Sequence, residues 1–113
     1  MAYDEYLAER VKGILKEKHI VFEEKKMMGG LCYMVDDKMC LGIVKNNLMA
    51  RIGPEIYQEA LQKKGCKEMD FTGRTMKGYV FVEPEGVDME DDLNEWVQLC
   101  LDFNPKAKSS KKK

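Results

Sequence analysis

Hydrolytic or group-transfer chemistry needs a nucleophile with a base beside it, and the sequence supplies little toward one. Its only serines are Ser109 and Ser110, both in the C-terminal tail, and its one histidine is His19. The four cysteines, Cys32, Cys40, Cys66 and Cys100, form no CxxC pair, and one imidazole cannot complete a metal knuckle with them. Met28-Gly29-Gly30 lacks the spacing of a phosphate loop or dinucleotide fingerprint. The adjacent carboxylates Glu23-Glu24 and Asp36-Asp37 point to opposite faces if they lie in strands, so neither pair can work on one bond. The expectation is a non-enzyme with no catalytic residues, no cofactor and no metal.

One constellation carries binding chemistry. Four segments set a basic residue beside glycine or an aromatic: Lys25-Lys26-Met27-Met28-Gly29-Gly30, Arg51-Ile52-Gly53-Pro54, Asp70-Phe71-Thr72-Gly73-Arg74 and Lys77-Gly78-Tyr79. Each falls at a strand end or turn. If those ends converge, Lys26, Arg51, Arg74 and Lys77, with Tyr79 beside them, form a cationic patch fit for an anionic ligand. The plainer alternative is that Arg51 pairs with Asp70 or Glu55, and that Gly29, Gly30, Gly53, Gly73 and Gly78 only shape turns.

The elements that would position these residues can be read from periodicity. Tyr3, Leu7, Val11, Ile14 and Leu15 make one helical stripe, which predicts a first helix over 3–18. Strands are expected over 20–27, 31–35, 39–44 and 48–52, with turns at Gly29-Gly30, Asp36-Asp37 and Asn46-Asn47. A two-residue turn at Asp36-Asp37 sets Tyr33 against Cys40 and Cys32 against Leu41, with the two thiols on opposite faces. Leu48, Ala50 and Ile52 face one side of their strand, and Met49 and Arg51 the other. Gly53-Pro54-Glu55 opens a second helix with Ile56, Tyr57, Ala60 and Leu61 inward and Gly65 as a left-handed cap. Strands over 68–71 and 77–82 flank a turn at Thr72-Gly73. A third helix starts with Asp88 as N-cap and carries Leu93, Trp96, Val97, Cys100 and Leu101 at helical spacing. Tight turns make neighbouring strands antiparallel. The fold class is α+β: a two-layer domain, with an antiparallel sheet of about five strands and three helices in the order α-β4-α-β2-α.

Composition fits one such domain. The chain has 113 residues, 44% hydrophobic and 35% charged, with a net charge of −1. The charge is unevenly laid out: residues 83–102 hold eight acids and no base, while the last eight residues hold five lysines and no acid. The division expected is a folded domain over 1–105 and a disordered lysine-rich tail over 106–113. The domain without its tail has fourteen basic residues against twenty acidic, so nucleic-acid binding should be weak and non-specific at most. No apolar run approaches a membrane span, no secretory signal opens the chain, and cysteine usage fits reduced thiols, so a cytoplasmic location is expected. Nine methionines suit core packing or an adaptable binding surface.

The same four segments carry a family resemblance. The ordered chain resembles the N-terminal domain of TfoX/Sxy, the bacterial competence regulators. The resemblance runs from Met1-Ala2-Tyr3-Asp4-Glu5 and Leu7-Ala8-Glu9-Arg10-Val11 through Lys26–Met34 and Arg51–Glu55 to Met69–Arg74 and Met76–Val80. Met28 stands where phenylalanine is common, a swap that conserves bulk. The resemblance implies an α+β fold with an antiparallel sheet and brings no catalytic residues. Full-length regulators of this kind act with the cyclic-AMP receptor protein on DNA-uptake genes and carry a second, helical domain; this chain is similar to the first domain alone. By that resemblance the chain is expected to be a cytosolic regulatory domain acting through a protein partner, with the transcription machinery as one candidate and homodimerisation open. The alternatives are an anionic-ligand or enzymatic domain using the basic patch, and a weak nucleic-acid binder using the tail.

Overall fold

The computed structural model describes residues 3–27, 30–71 and 74–106, with side chains described over 3–26, 30–68 and 78–106. The first helix, α1, spans Glu5–Glu17. Asp4 is its N-cap: Oδ1 accepts from the backbone N–H of Tyr6 at 3.0 Å and of Leu7 at 3.2 Å. Its buried stripe is Leu7, Ala8, Val11, Ile14 and Leu15.

Six strands come next, where the sequence suggested about five: β1 Glu23–Met27, β2 Gly30–Val35, β3 Lys38–Val44, β4 Asn47–Arg51, β5 Cys66–Phe71 and β6 Arg74–Val82. They form one antiparallel sheet in the order β1-β2-β3-β4-β6-β5. Asp36 and Asp37 both take positive φ, 59° and 64°, the geometry a two-residue hairpin needs. The second turn lies one residue earlier than expected, because Lys45 takes φ 57° and Asn47 already pairs with Val44. A β-bulge at Tyr33/Met34 corrects the expected pairing: Tyr33 faces Leu41 and Cys32 faces Gly42. Cys40 is the extra residue. It joins the helix-side core while Cys32 joins the other face, so the thiols do diverge, and all four cysteines are free.

The second helix, α2, is a single turn, Tyr57–Ala60, shorter than its apolar spacing suggested. Beyond it the amides of Gln62 and Lys63 bond three residues back, to Glu59 and Ala60, which tightens the chain out of α geometry. The third helix, α3, spans Glu90–Phe103. Its N-cap is Met89, not Asp88: Met89 has the extended backbone (φ −82°, ψ 141°), and no side chain caps the end. The backbone carbonyl of Asp88 instead accepts from Arg10 Nη2 at 3.3 Å. A 3₁₀ turn, Asn104–Lys106, continues directly from α3, so Lys106 extends the folded chain, with Nζ 3.7 Å from Glu55. The rest of the lysine-rich tail lies outside the described residues.

The helices cover one face of the sheet. Leu31, Tyr33, Leu41, Ile43, Leu48, Ala50, Val80 and Val82 meet α1 and α3 there in the main core. Tyr33 is fully buried and donates its hydroxyl to the Ala8 carbonyl at 2.8 Å, which fastens α1 to β2. Helices α1 and α3 run parallel, for Arg10 reaches Glu90 and Lys18 reaches Gln98. The other face carries Cys32, Met34, Met39 and Met49, all buried, with Val44, Tyr79 and Phe81 against them. The alternation expected in β4 holds: Leu48, Ala50 and Ile52 join the helix side, Met49 the other. No helix among the described residues is long and apolar enough to cross a membrane.

Candidate functional site

Of the four basic residues in the sequence's patch, the structure places the side chains of Lys26 and Arg51. Lys26 lies on the edge strand β1, opposite Leu31 of the helix-side core. Through Leu31, Ile43 and Leu48 it sits level with the start of β4, whereas Arg51 is the last residue of that strand. Three strand spacings and three residues separate the two, about 17 Å. Arg51 also pairs with Tyr79, which packs on the opposite face. Lys26 and Arg51 therefore share no patch. Arg74 and Lys77 belong to β6, but their side chains lie outside those described, as do Gly29 and Gly73.

Two motif segments do converge. Gly78 takes φ 92°, and its carbonyl accepts from the amides of both Ile52, at 2.9 Å, and Gly53, at 3.1 Å. That kink in β6 ties the end of β4 to it and sets Arg51 beside Tyr79. The Arg51 guanidinium carbon lies 5.4 Å from the Tyr79 ring centroid and 5.8 Å from that of Phe103, and Nη1 donates to the Met39 carbonyl at 3.3 Å. Gly53 takes φ 89°, and any Cβ there would strike the Phe103 ring. Gly30 is the buried first residue of β2, where it closes the β1–β2 hairpin opposite Met27.

Sequence reasoning missed Phe103 and Asn104. Asn104, 5% exposed, donates Nδ2 to the Val35 carbonyl at 3.1 Å, while Lys38 Nζ donates to the Asn104 carbonyl at 3.2 Å. These contacts link the β2–β3 turn to the end of α3 across more than sixty residues. The polar run after Phe103 was the only local signal.

Burial holds the thiols in the neutral form. It pushes Cys40 up to about 12, against a weaker downward pull from Arg51, and Cys66 up to about 11, against Lys63. Cys100 is raised by burial and then by Cys40, with the Arg51 backbone amide opposing; Cys32 is raised by burial alone. Such thiols are poor nucleophiles and poor metal ligands near neutral pH. No group of three or more His, Cys, Asp or Glu among the described residues could hold a metal ion.

A second surface was not singled out by sequence. Tyr6 and Met89 are 75% and 65% exposed. Arg10 joins their two segments: it lies 5.9 Å from the Tyr6 ring centroid and bonds the Asp88 carbonyl and Glu90 Oε1, both at 3.3 Å.

A two-layer α+β domain, with a six-stranded antiparallel sheet under two parallel helices, is the class of protein that this geometry defines. Residues 18–104 match the model of the TfoX N-terminal domain, and the chain belongs to that family. The match begins at the end of α1, so the opening segment of the resemblance lies outside it, while the segments of Gly30, Arg51–Glu55 and Gly78 lie within. No curated protein and no solved structure gives a significant match.

Proposed function

We propose that this chain is a non-enzymatic regulatory domain that works in the cytoplasm by docking a protein partner on the Tyr6–Arg10–Met89 face. The family is one of regulatory type. The observation that carries the docking reading is the exposure of Tyr6 and Met89 around an arginine already fixed by three contacts. Tyrosine, methionine and arginine are enriched at interfaces, and a pre-set arginine loses little freedom on binding. Glu5 precedes Tyr6, Glu9 lies three residues beyond it, and Glu90 and Asp91 come directly after Met89. The complementary partner has an apolar centre and a basic rim. Neutral, buried thiols support the non-enzymatic part of the reading.

A photo-crosslinking amino acid at position 6, with Lys64 as control position, tests this in cells. The expected product is a discrete, nuclease-resistant protein adduct from position 6 and none from position 64. Equal labelling from both, or an adduct that nuclease removes, would overturn the proposal.

A further inference from the structure

The sheet has two edges, β1 and β5, and they are built differently. The β5 ladder slips between Glu68 and Asp70, an irregularity of the kind that spoils an edge for further pairing. β1 reads Glu-Glu-Lys-Lys-Met, without proline or glycine, and pairs with β2 without a slip from Glu23–Met34 to Met27–Gly30. The side chains of Glu23, Glu24, Lys25 and Lys26 are all exposed, and among the described residues none of them makes a hydrogen bond or ion pair. We propose that β1 pairs antiparallel with β1 of a second copy of this chain, about a two-fold axis at Lys25, and joins the two sheets into one.

The backbone comes first. The two-residue turn at Asp36-Asp37 closes on Val35–Lys38, a pair that exchanges both of its backbone bonds. Alternation along β2 then turns Val35, Tyr33 and Leu31 toward β3, and Met34, Cys32 and Gly30 toward β1. Their partners on β1 are Glu23, Lys25 and Met27. The N–H and C=O groups of Glu24 and Lys26 therefore point off the open edge, where a second strand can take them. Symmetry narrows the register. A two-fold pair of antiparallel edge strands keeps each sheet face on its own side, so residues directly opposite must share a face. Centring on Lys25 meets that condition and sets Glu24 opposite Lys26 of the second copy, twice. Both pairs then exchange backbone bonds as well as opposing charges. Centring on Glu24 or on Lys26 leaves only one bonded pair within β1, and that pair sets like charges together. Glu24 and Lys26 lie opposite Tyr33 and Leu31, so the two matched pairs fall on the helix side of the joined sheet. On the other face Lys25 meets its copy across the axis, with Glu23 of each strand at the diagonal position, within reach of a long side chain. Edge charges keep strands apart when like meets like; two acids followed by two bases turn that guard into a match. Five residues a side is far below the roughly 20–30 of a standard interface, so the dimer is weak, with a dissociation constant of about 0.1–1 mM. The inference uses no residue of the docking face.

Sedimentation equilibrium of the full chain at concentrations up to about 1 mM provides the test, with the parent expected to dimerise in that range. Glu24→Lys and Lys26→Glu each turn both cross-strand pairs into like charges, and each variant alone should dimerise at least about tenfold more weakly. Mixed in equal amounts, the two variants recover both opposite-charge pairs, and a heterodimer within about threefold of the parent's constant is expected. That recovery also shows that both variants are folded. Tyr6→Ser, on the docking face, should leave the constant unchanged. A parent that stays monomeric, single variants that dimerise as the parent does, a mixture no tighter than its components, or loss of the dimer in Tyr6→Ser would each overturn the proposal.

Discussion

The two ends of the α1–α3 pair use similar residue types to opposite effect. At the C-terminal end Arg51 is enclosed between Tyr79 and Phe103 and bonded to the Met39 carbonyl, while Asn104 and Lys38 fasten the turn to the helix. At the N-terminal end Arg10 is likewise fixed, but the tyrosine and methionine beside it face solvent. An arginine beside an aromatic is thus architecture in one place and an open surface in the other. Which it is depends on whether a distant element closes over the pair. At Arg51 the closing element is Phe103, and at Arg10 none of the described residues covers Tyr6 or Met89.

The comparison can be broken most severely at Gly53. A Gly53→Ala change puts a side chain at φ 89° and drives its Cβ into the Phe103 ring. Left-handed strain of about 1–2 kcal/mol and a similar overpacking cost should together remove roughly 3 kcal/mol from urea unfolding. A loss under 1 kcal/mol, by that order of magnitude, would mean that the Phe103 contact yields easily and that the corner is no rigid frame.

Arg51→Ala comes next. Among its contacts it removes those with the Tyr79 and Phe103 rings and the hydrogen bond to the Met39 carbonyl, for an expected loss of roughly 2 kcal/mol. An unchanged midpoint in the same unfolding assay would show that the guanidinium is free to serve a ligand.

The thiols near this corner give a pH signature. Folded Cys40 holds its proton up to about 12, whereas the unfolded thiol ionises near its ordinary 9.0. Stability is therefore complete below pH 9 and falls as pH rises from there toward 12, because only the unfolded state loses the proton. The slope should be about 1.4 kcal/mol per pH unit for each such thiol, and Cys40→Ala should flatten it by one thiol's share. A wild-type profile flat from pH 9 to 11 would contradict the burial of Cys40 and Cys66.

The smallest effect is a gain. Gly13 lies inside α1 with open space where a Cβ would go. Gly13→Ala should add about 0.5–1 kcal/mol, the ordinary helix-interior difference. A loss there would contradict the open space beside Gly13.

Local rules were enough for much of the fold. The stripe of α1, the Asp36-Asp37 turn, the alternation of β4 and the Leu93–Cys100 face of α3 each rest on residues within a few positions of one another. What sequence could not supply depends on distant contacts. The bulge at Cys40 arises from strand pairing, and the N-cap shift from Asp88 to Met89 accompanies a carbonyl contact from Arg10, 78 residues away. The separation of Lys26 from Arg51 was hidden for a related reason. Strand ends that look alike in sequence meet only if the strands are neighbours, and β1 is three places from β4. The convergence of Gly53 with Gly78 was legible as two glycine motifs, but Phe103, which closes that corner, had no motif.

The most direct test measures stability and partner capture together in two variants. Tyr6→Ser with Met89→Ala alters only exposed side chains and adds no cap to α3, so its unfolding midpoint should stay within about 0.5 kcal/mol of the parent while partner capture is lost. Arg51→Ala should do the reverse, losing roughly 2 kcal/mol while each folded molecule still captures the partner. Loss of capture in Arg51→Ala at unchanged stability, with capture retained in the double variant, would place the interaction at the motif corner and contradict docking on the Tyr6–Arg10–Met89 face.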